Sequence, residues 1–154
     1  MHGRGFNKLD RSLVCGVNDS EGARAAARVA ARMAERLSLK LILVHVGEVR
    51  AIAESPRVAA AAALDEVDGR KAQYLLADIA VAEGLGPVER RVQYGVPSEQ
   101  LARVAEQEDA EMIVVGSRGR GALKAALLGS VSSNVLASAR CPVLIVPPGA
   151  ARRA

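Results

Sequence analysis

The feature that most constrains this chain is alternation: short apolar runs rich in Val, Ile and Leu recur between long segments of helical periodicity. The runs are Ser12 to Val17, Leu41 to Val46, Val88 to Tyr94, Met112 to Gly116 and Val143 to Val146. A strand that is apolar on both faces must be covered on both faces, and helices packed on either side of a parallel sheet do this. The pattern predicts a single α/β, doubly wound domain over residues 1–154, with 1–10 and 148–154 as flexible tails. Leu41 to Val46 and Met112 to Val115 are almost wholly apolar and belong at the sheet centre. Val88 to Tyr94 carries Glu89, Arg90, Arg91 and Gln93 and belongs near an edge.

Four helices fill the intervals. The first runs from about Glu21 to Leu37 behind Ser20 as N-cap, with Ala23, Ala26, Ala27, Ala30, Met33, Ala34 and Leu37 on its inner face. Arg24, Arg28, Arg32 and Arg36 form a stripe on another face, read as solvated, with Glu21 and Glu35 each three residues from one of them. The second follows Ser55-Pro56 and runs through Ala59 and Leu76 towards Glu83, with Gly69 as a point of interruption. The third begins at Pro97 and ends near Glu108. The fourth opens at Ser130 and stops before Cys141-Pro142.

Composition narrows the functions. The net charge is only +4, and the aromatics are Phe6, Tyr74 and Tyr94 alone, too few for the stacking platforms of single-stranded nucleic-acid binding. The start is polar and glycine-rich, and no apolar run approaches the ~20 residues of a membrane span, so a cytoplasmic protein is expected, with no nucleic-acid or membrane partner. Cys15 and Cys141 lack any metal-ligand or CxxC spacing and read as small buried hydrophobes. His45, inside an apolar strand, reads as a hydrogen-bonded core histidine.

Chemistry concentrates after the fourth strand. Gly116-Ser117-Arg118-Gly119-Arg120-Gly121 is a basic, glycine-punctuated loop, and Gly129-Ser130 opens the following helix. A strand, a glycine-rich loop and a helix N-terminus together aim backbone N–H groups and the positive end of a helix dipole at an anion. The loop is not a P-loop, lacking Lys-Ser/Thr after its last glycine, and no strand precedes G-x-G-x-x-G. Arg118, Arg120 and Lys124 are candidate phosphate cations. Ligands of doubly wound sheets sit outside the carboxyl ends of the strands, so Asn18-Asp19-Ser20, Gly47-Glu48 and Gly95-Val96-Pro97 face the same edge.

Gly116, Gly119, Gly129 and Ser130 match Gly-x-x-Gly, nine residues, Gly-Ser. With Val14-Cys15-Gly16-Val17-Asn18-Asp19-Ser20, Leu43-Val44-His45-Val46 and Cys141-Pro142-Val143-Leu144-Ile145-Val146, the chain resembles the universal stress protein family, in its members with an ATP-binding motif. The resemblance covers nearly the whole chain. It implies a Rossmann-like five-stranded parallel sheet flanked by helices and a homodimer through the last strand, Val143 to Val146. It also implies ATP as ligand, with Mg²⁺ on the phosphates, held by Val17, Asn18, Ser20 and Val46 on one side. On the other side stand Gly116, Ser117, Arg118, Gly119, Gly129, Ser130, Val131 and Ser132. Val46 would meet adenine through its backbone, and Asn18 stands where the family usually has aspartate. The function implied is a nucleotide-dependent switch in stress response; a slow ATP-hydrolysing enzyme and a dimeric interaction module with a vestigial pocket are the alternatives. No general base for hydrolysis stands out, Asp19 and Glu48 lying near the site by strand order alone.

Overall fold

The computed structural model describes residues 11–48, 58–118 and 128–150. Within them the chain runs β1 (Ser12–Gly16), α1 (Glu21–Leu37), β2 (Lys40–Gly47), α2 (Val58–Ala82), β3 (Glu89–Tyr94), α3 (Pro97–Gln107), β4 (Ala110–Gly116), α4 (Ser130–Ser138) and β5 (Val143–Val146). All five strands are parallel in the order β3-β2-β1-β4-β5. The apolar β2 and β4 therefore lie inside and the charged β3 at an edge, as their composition requires, while the wholly apolar β5 forms the other edge. The order reverses between β1 and β4, since β2 and β3 extend the sheet to one side of β1 while β4 and β5 extend it to the other. That reversal opens a crevice at the carboxyl ends of β1 and β4.

Side chains alternate across each strand and fill two apolar layers. Leu13, Cys15, Leu41, Leu43 and Val114 face α1 and α2, where Ala26, Ala27, Ala30, Leu76 and Ile79 cover them. Val14, Ile42, Val44, Ile113 and Val115 face α3 and α4, against Leu101, Val104 and Val135. Leu13, Ile42, Leu43, Leu76, Ile79, Leu101 and Ile113 are fully buried, each contributing about 1.5–3 kcal/mol of hydrophobic stabilisation.

Alanine along the inner face lets α1 sit close on the sheet. Ser20 caps it, its Oγ accepting from Ala23 N–H at 3.2 Å. At the other end Ser38, at φ 55°, donates to the Ala34 and Glu35 carbonyls and turns the chain into β2. Leu37, expected in the core, is 45% exposed, because the chain reverses at the next residue and the last turn has no further sheet beneath it. Ala25, outside the expected face, is fully buried.

The arginine stripe also departs from its solvated reading. Arg24 and Arg28 reach across to α2 and its C-terminal turn, Arg24 to Asp78 (2.8 Å) and both to Glu83; Arg28 also meets Glu21, four residues beyond the arginine expected as its partner. The α2 backbone continues through Gly69 without the expected interruption, despite a cost of about 1 kcal/mol relative to alanine there. At the opposite end of the sheet from the crevice, Lys40 and Arg91 share Glu89 and Glu108, joining β2, β3 and the end of α3. Of the expected tails, 1–10 and 151–154 lie outside the described residues, whereas 148–150 form a turn closed by Ala150 N–H on Pro147 C=O at 3.0 Å. Among the described residues no helix is long and apolar enough to cross a membrane.

Candidate functional site

Where β1 ends, the backbone is held from β2. Val17 N–H donates to Val44 C=O at 2.9 Å, and the Val17 carbonyl lies 3.0 Å from His45 Nδ1. His45 is thus the hydrogen-bonded histidine its sequence context suggests, fixing the exit of β1. Asn18 follows in an Asx turn, its Oδ1 accepting from Ser20 N–H at 2.9 Å. Only the amide oxygen can accept this bond, so the NH₂ group and the second lone pair of the oxygen are what Asn18 has left to offer. Ser20 in turn caps α1. Both side-chain oxygens thereby shape the start of α1, and Val17 is buried.

β2 is longer than β1 at this end. The last registered pair is Gly16 with Val44, while β2 continues through His45, Val46 and Gly47 beside β3. In a parallel ladder alternate residues turn their N–H and C=O to the same neighbour. Val44 bonds towards β1 and Gly47 C=O towards β3, where it accepts from Gly95 N–H, so the Val46 amide faces the β1 side beyond the strand's end. No backbone bond among the described residues closes on Val46 from that side.

Across the crevice, β4 and α1 touch backbone to backbone. A Cβ on Gly22, in the first turn of α1, would stand 2.5 Å from the Arg118 carbonyl oxygen, and one on Gly116 would stand 2.8 Å from Gly22 O. Both glycines are needed for this approach. Gly22 escaped the sequence reading, although a glycine among alanines at a helix start was a usable signal.

Ser117 then anchors the loop. Its N–H donates to Val146 C=O (2.9 Å), and its own C=O accepts from Gly129 N–H (2.7 Å) and the Ser132 hydroxyl (3.2 Å). The Ser132 hydroxyl also lies 3.0 Å from Gly129 C=O, and this serine is 1% exposed. These bonds set the N-terminus of α4 beside the end of β4. The N-cap is Gly129, which has no side chain to cap with. The N–H groups of Ser130, Val131 and Ser132, in the first turn, have no intrahelical acceptor. Unlike α1, α4 thus presents an uncapped positive end. Ser130 is exposed, Val131 and Arg118 half-buried.

Asn18, Ser20, Val46, Gly116, Ser117, Arg118, Gly129, Ser130, Val131 and Ser132 all lie at the carboxyl edge of β1, β2 and β4. Gly119, together with Arg120, Gly121 and Lys124, lies outside the described residues. Elsewhere, burial pushes the Cys15 thiol up to about 12, leaving it a packing group, while Cys141 is only half-buried rather than core. Among the described residues no cluster of three or more His, Cys, Asp and Glu side chains could hold a metal ion.

The model of the universal stress protein family matches residues 11–147. A universal stress protein of Thermus aquaticus is 30% identical over 139 residues, covering 88% of this chain and 98% of that protein. One from Mycobacterium bovis is 33% identical over 145 residues, covering 90% of this chain but 48% of the relative. The chain therefore spans about half the length of that relative, and its matches to two Methanocaldococcus jannaschii universal stress proteins span 32% and 31% of theirs. Among solved structures, a universal stress protein in complex with cAMP superposes with a TM-score of 0.65 at 26% identity, covering 88% of this chain and 96% of that one.

Proposed function

This chain belongs to the universal stress protein family, and from that premise we propose that it binds an adenine nucleotide, ATP with Mg²⁺, in the crevice between β1 and β4 and acts as a dimeric nucleotide-dependent switch in stress response. The observation that carries the reading is a pair of backbone donor sets at one sheet edge that meet no acceptor among the described residues. They are the Val46 amide beyond the end of β1 and the uncapped first turn of α4. Val46 N–H and C=O match the acceptor and donor that an adenine edge offers side by side. The α4 N–H groups and dipole favour phosphate, which Arg118 and the adjoining glycine loop supplement. The donors fit ATP without any protein-held metal, so Mg²⁺ would rest on the phosphates themselves. The relative bound to cAMP supports the base and ribose part of this assignment.

Dimerisation rests on β5. It is an edge strand of four apolar residues, and Leu136 of α4 is 50% exposed. Pairing β5 with a second copy would cover an edge that is otherwise open.

The test is calorimetric titration of the purified protein with ATP in Mg²⁺, together with mass spectrometry of nucleotide retained through purification. A saturable heat with one nucleotide per subunit is expected. Absence of both heat and retained nucleotide at millimolar ATP overturns the reading, and a steady release of phosphate would make the protein an ATPase instead.

A further inference from the structure

Both tyrosines of the chain line one groove, at the β3 edge of the sheet. The groove measures about 600 Å³ and runs between α2 and the edge strand β3. Tyr74 from α2 and Tyr94 from the end of β3 contribute their rings, and Arg70 and Arg90 their guanidinium groups. No described carboxylate lines it. Tyr74 is 74% exposed and Tyr94 42%.

The Tyr94 ring is held in place by two close approaches. A Cβ on Gly47 of β2 would stand 3.0 Å from Tyr94 Cε1, and a Cβ on Gly69 of α2 would stand 3.1 Å from Tyr94 Oη. A glycine inside a long helix, unfavourable for the helix itself, thus has a spatial reason: it makes room for a phenol that reaches from β3. The result is a concave surface with two aromatic faces, two cations and a size in the range of about 300–1,000 Å³ usual for small-molecule sites.

From this arrangement we propose that the groove is a second binding site, separate from the β1/β4 crevice, for a small planar aromatic ring bearing a carboxylate or phosphate. The tyrosine rings supply offset or edge contacts to the ring, and the planar guanidinium of Arg90 supplies paired, charge-assisted donors to the anion. β4, at the phosphate end of the crevice, stands three strand spacings or about 14 Å from β3, whereas Val46 lies on β2 beside β3, so competition with ATP is the direct test that the two sites are separate.

The absence of Trp and the presence of only two tyrosines give a direct readout. Protein carrying isotopically labelled tyrosine is titrated by NMR with benzoate and with phenyl phosphate; benzyl alcohol and cyclohexanecarboxylate serve as neutral and non-aromatic controls. Both tyrosine signals are expected to shift saturably at low-millimolar benzoate or phenyl phosphate, and the tighter of the two identifies the anion preferred. The controls are expected to shift them weakly. Arg90→Glu is expected to weaken the aromatic anions about tenfold while leaving benzyl alcohol unchanged, and saturating Mg²⁺ and ATP should leave the shifts intact. Arg90→Gln, which keeps the side-chain length on this exposed strand, repeats the test should the charge reversal disturb β3. The proposal is overturned by absence of saturation with either anion, by an equal response to benzyl alcohol that survives both Arg90 variants, or by displacement with ATP.

Discussion

Replacing Gly22 with alanine tests the contact that closes the crevice. The new Cβ would lie 2.5 Å from the Arg118 carbonyl oxygen, and real Cβ atoms essentially never come within 3.0 Å, so α1 and the loop must part by at least half an ångström. The obstacle is backbone on both sides. Arg118 follows Ser117, whose amide and carbonyl are tied to Val146 and Gly129, so the loop cannot swing away without straining those bonds. Overpacking of this kind costs about 1–3 kcal/mol. Against it stands the better helix propensity of alanine, at most about 1 kcal/mol and less in a first turn. A net loss of about 1–2 kcal/mol follows, or roughly 2–8 °C in melting temperature for a domain of this size. Gly86 provides the control, since it has no heavy atom within 4 Å of an added Cβ and no positive φ. Gly86→Ala should be neutral or stabilising by about 0.4–1 kcal/mol through the unfolded chain. Urea unfolding of both variants and the parent decides the matter. A Gly22→Ala protein as stable as Gly86→Ala would refute the backbone contact, and with it the reason given for Gly116.

Asn18→Asp keeps the bond from Ser20 N–H and places a negative charge at the start of α1, so the nucleotide-free protein should gain about 0.3–1 kcal/mol, while ATP affinity in Mg²⁺ should rise about fivefold from a charge-assisted bond; weaker binding in titration would remove Asn18 from the site. The Glu89 carboxyl is held below its ordinary range chiefly by its hydrogen bond with Lys40, aided by Arg91, so its contribution is present above the unfolded glutamate value of about 4.3 and lost as the pH falls through the lower folded value. Lys40→Met should therefore be less stable than the parent at pH 7, and the gap should narrow in acid; a constant gap in urea melts from pH 7 to about pH 3 would contradict this. Pro142 and Val146 carbonyls bond to the β4 side, which turns the Val143 amide outward. Val143→Pro should convert a dimer to a monomer in light scattering while circular dichroism shows the subunit still folded, and a dimer that persists would move the interface away from β5.

Periodicity and spacing were sufficient for the frame. The apolar runs placed all five strands, Ser20 and Pro97 marked helix starts, and the charges on Glu89 to Gln93 sent that strand to an edge, because each signal depends on neighbours within a few residues. Gly116, Gly129 and Ser130 likewise marked a helix start after a glycine loop, and their spacing carried the family assignment. Local pattern says which face of an element is apolar, but not what lies opposite its polar groups. Hence Arg24 and Arg28, solvated by pattern, meet acidic groups more than fifty residues away, and Leu37, apolar by pattern, is exposed where its helix runs out. The direction of the Val46 amide depends on β2 outrunning β1, and the need for Gly22 depends on how closely α1 meets β4. Gly69 looked like a weak point in a helix until Tyr94 was placed against it. Such features come from register and distance between segments far apart in sequence, which only the closed packing of helices on the sheet determines.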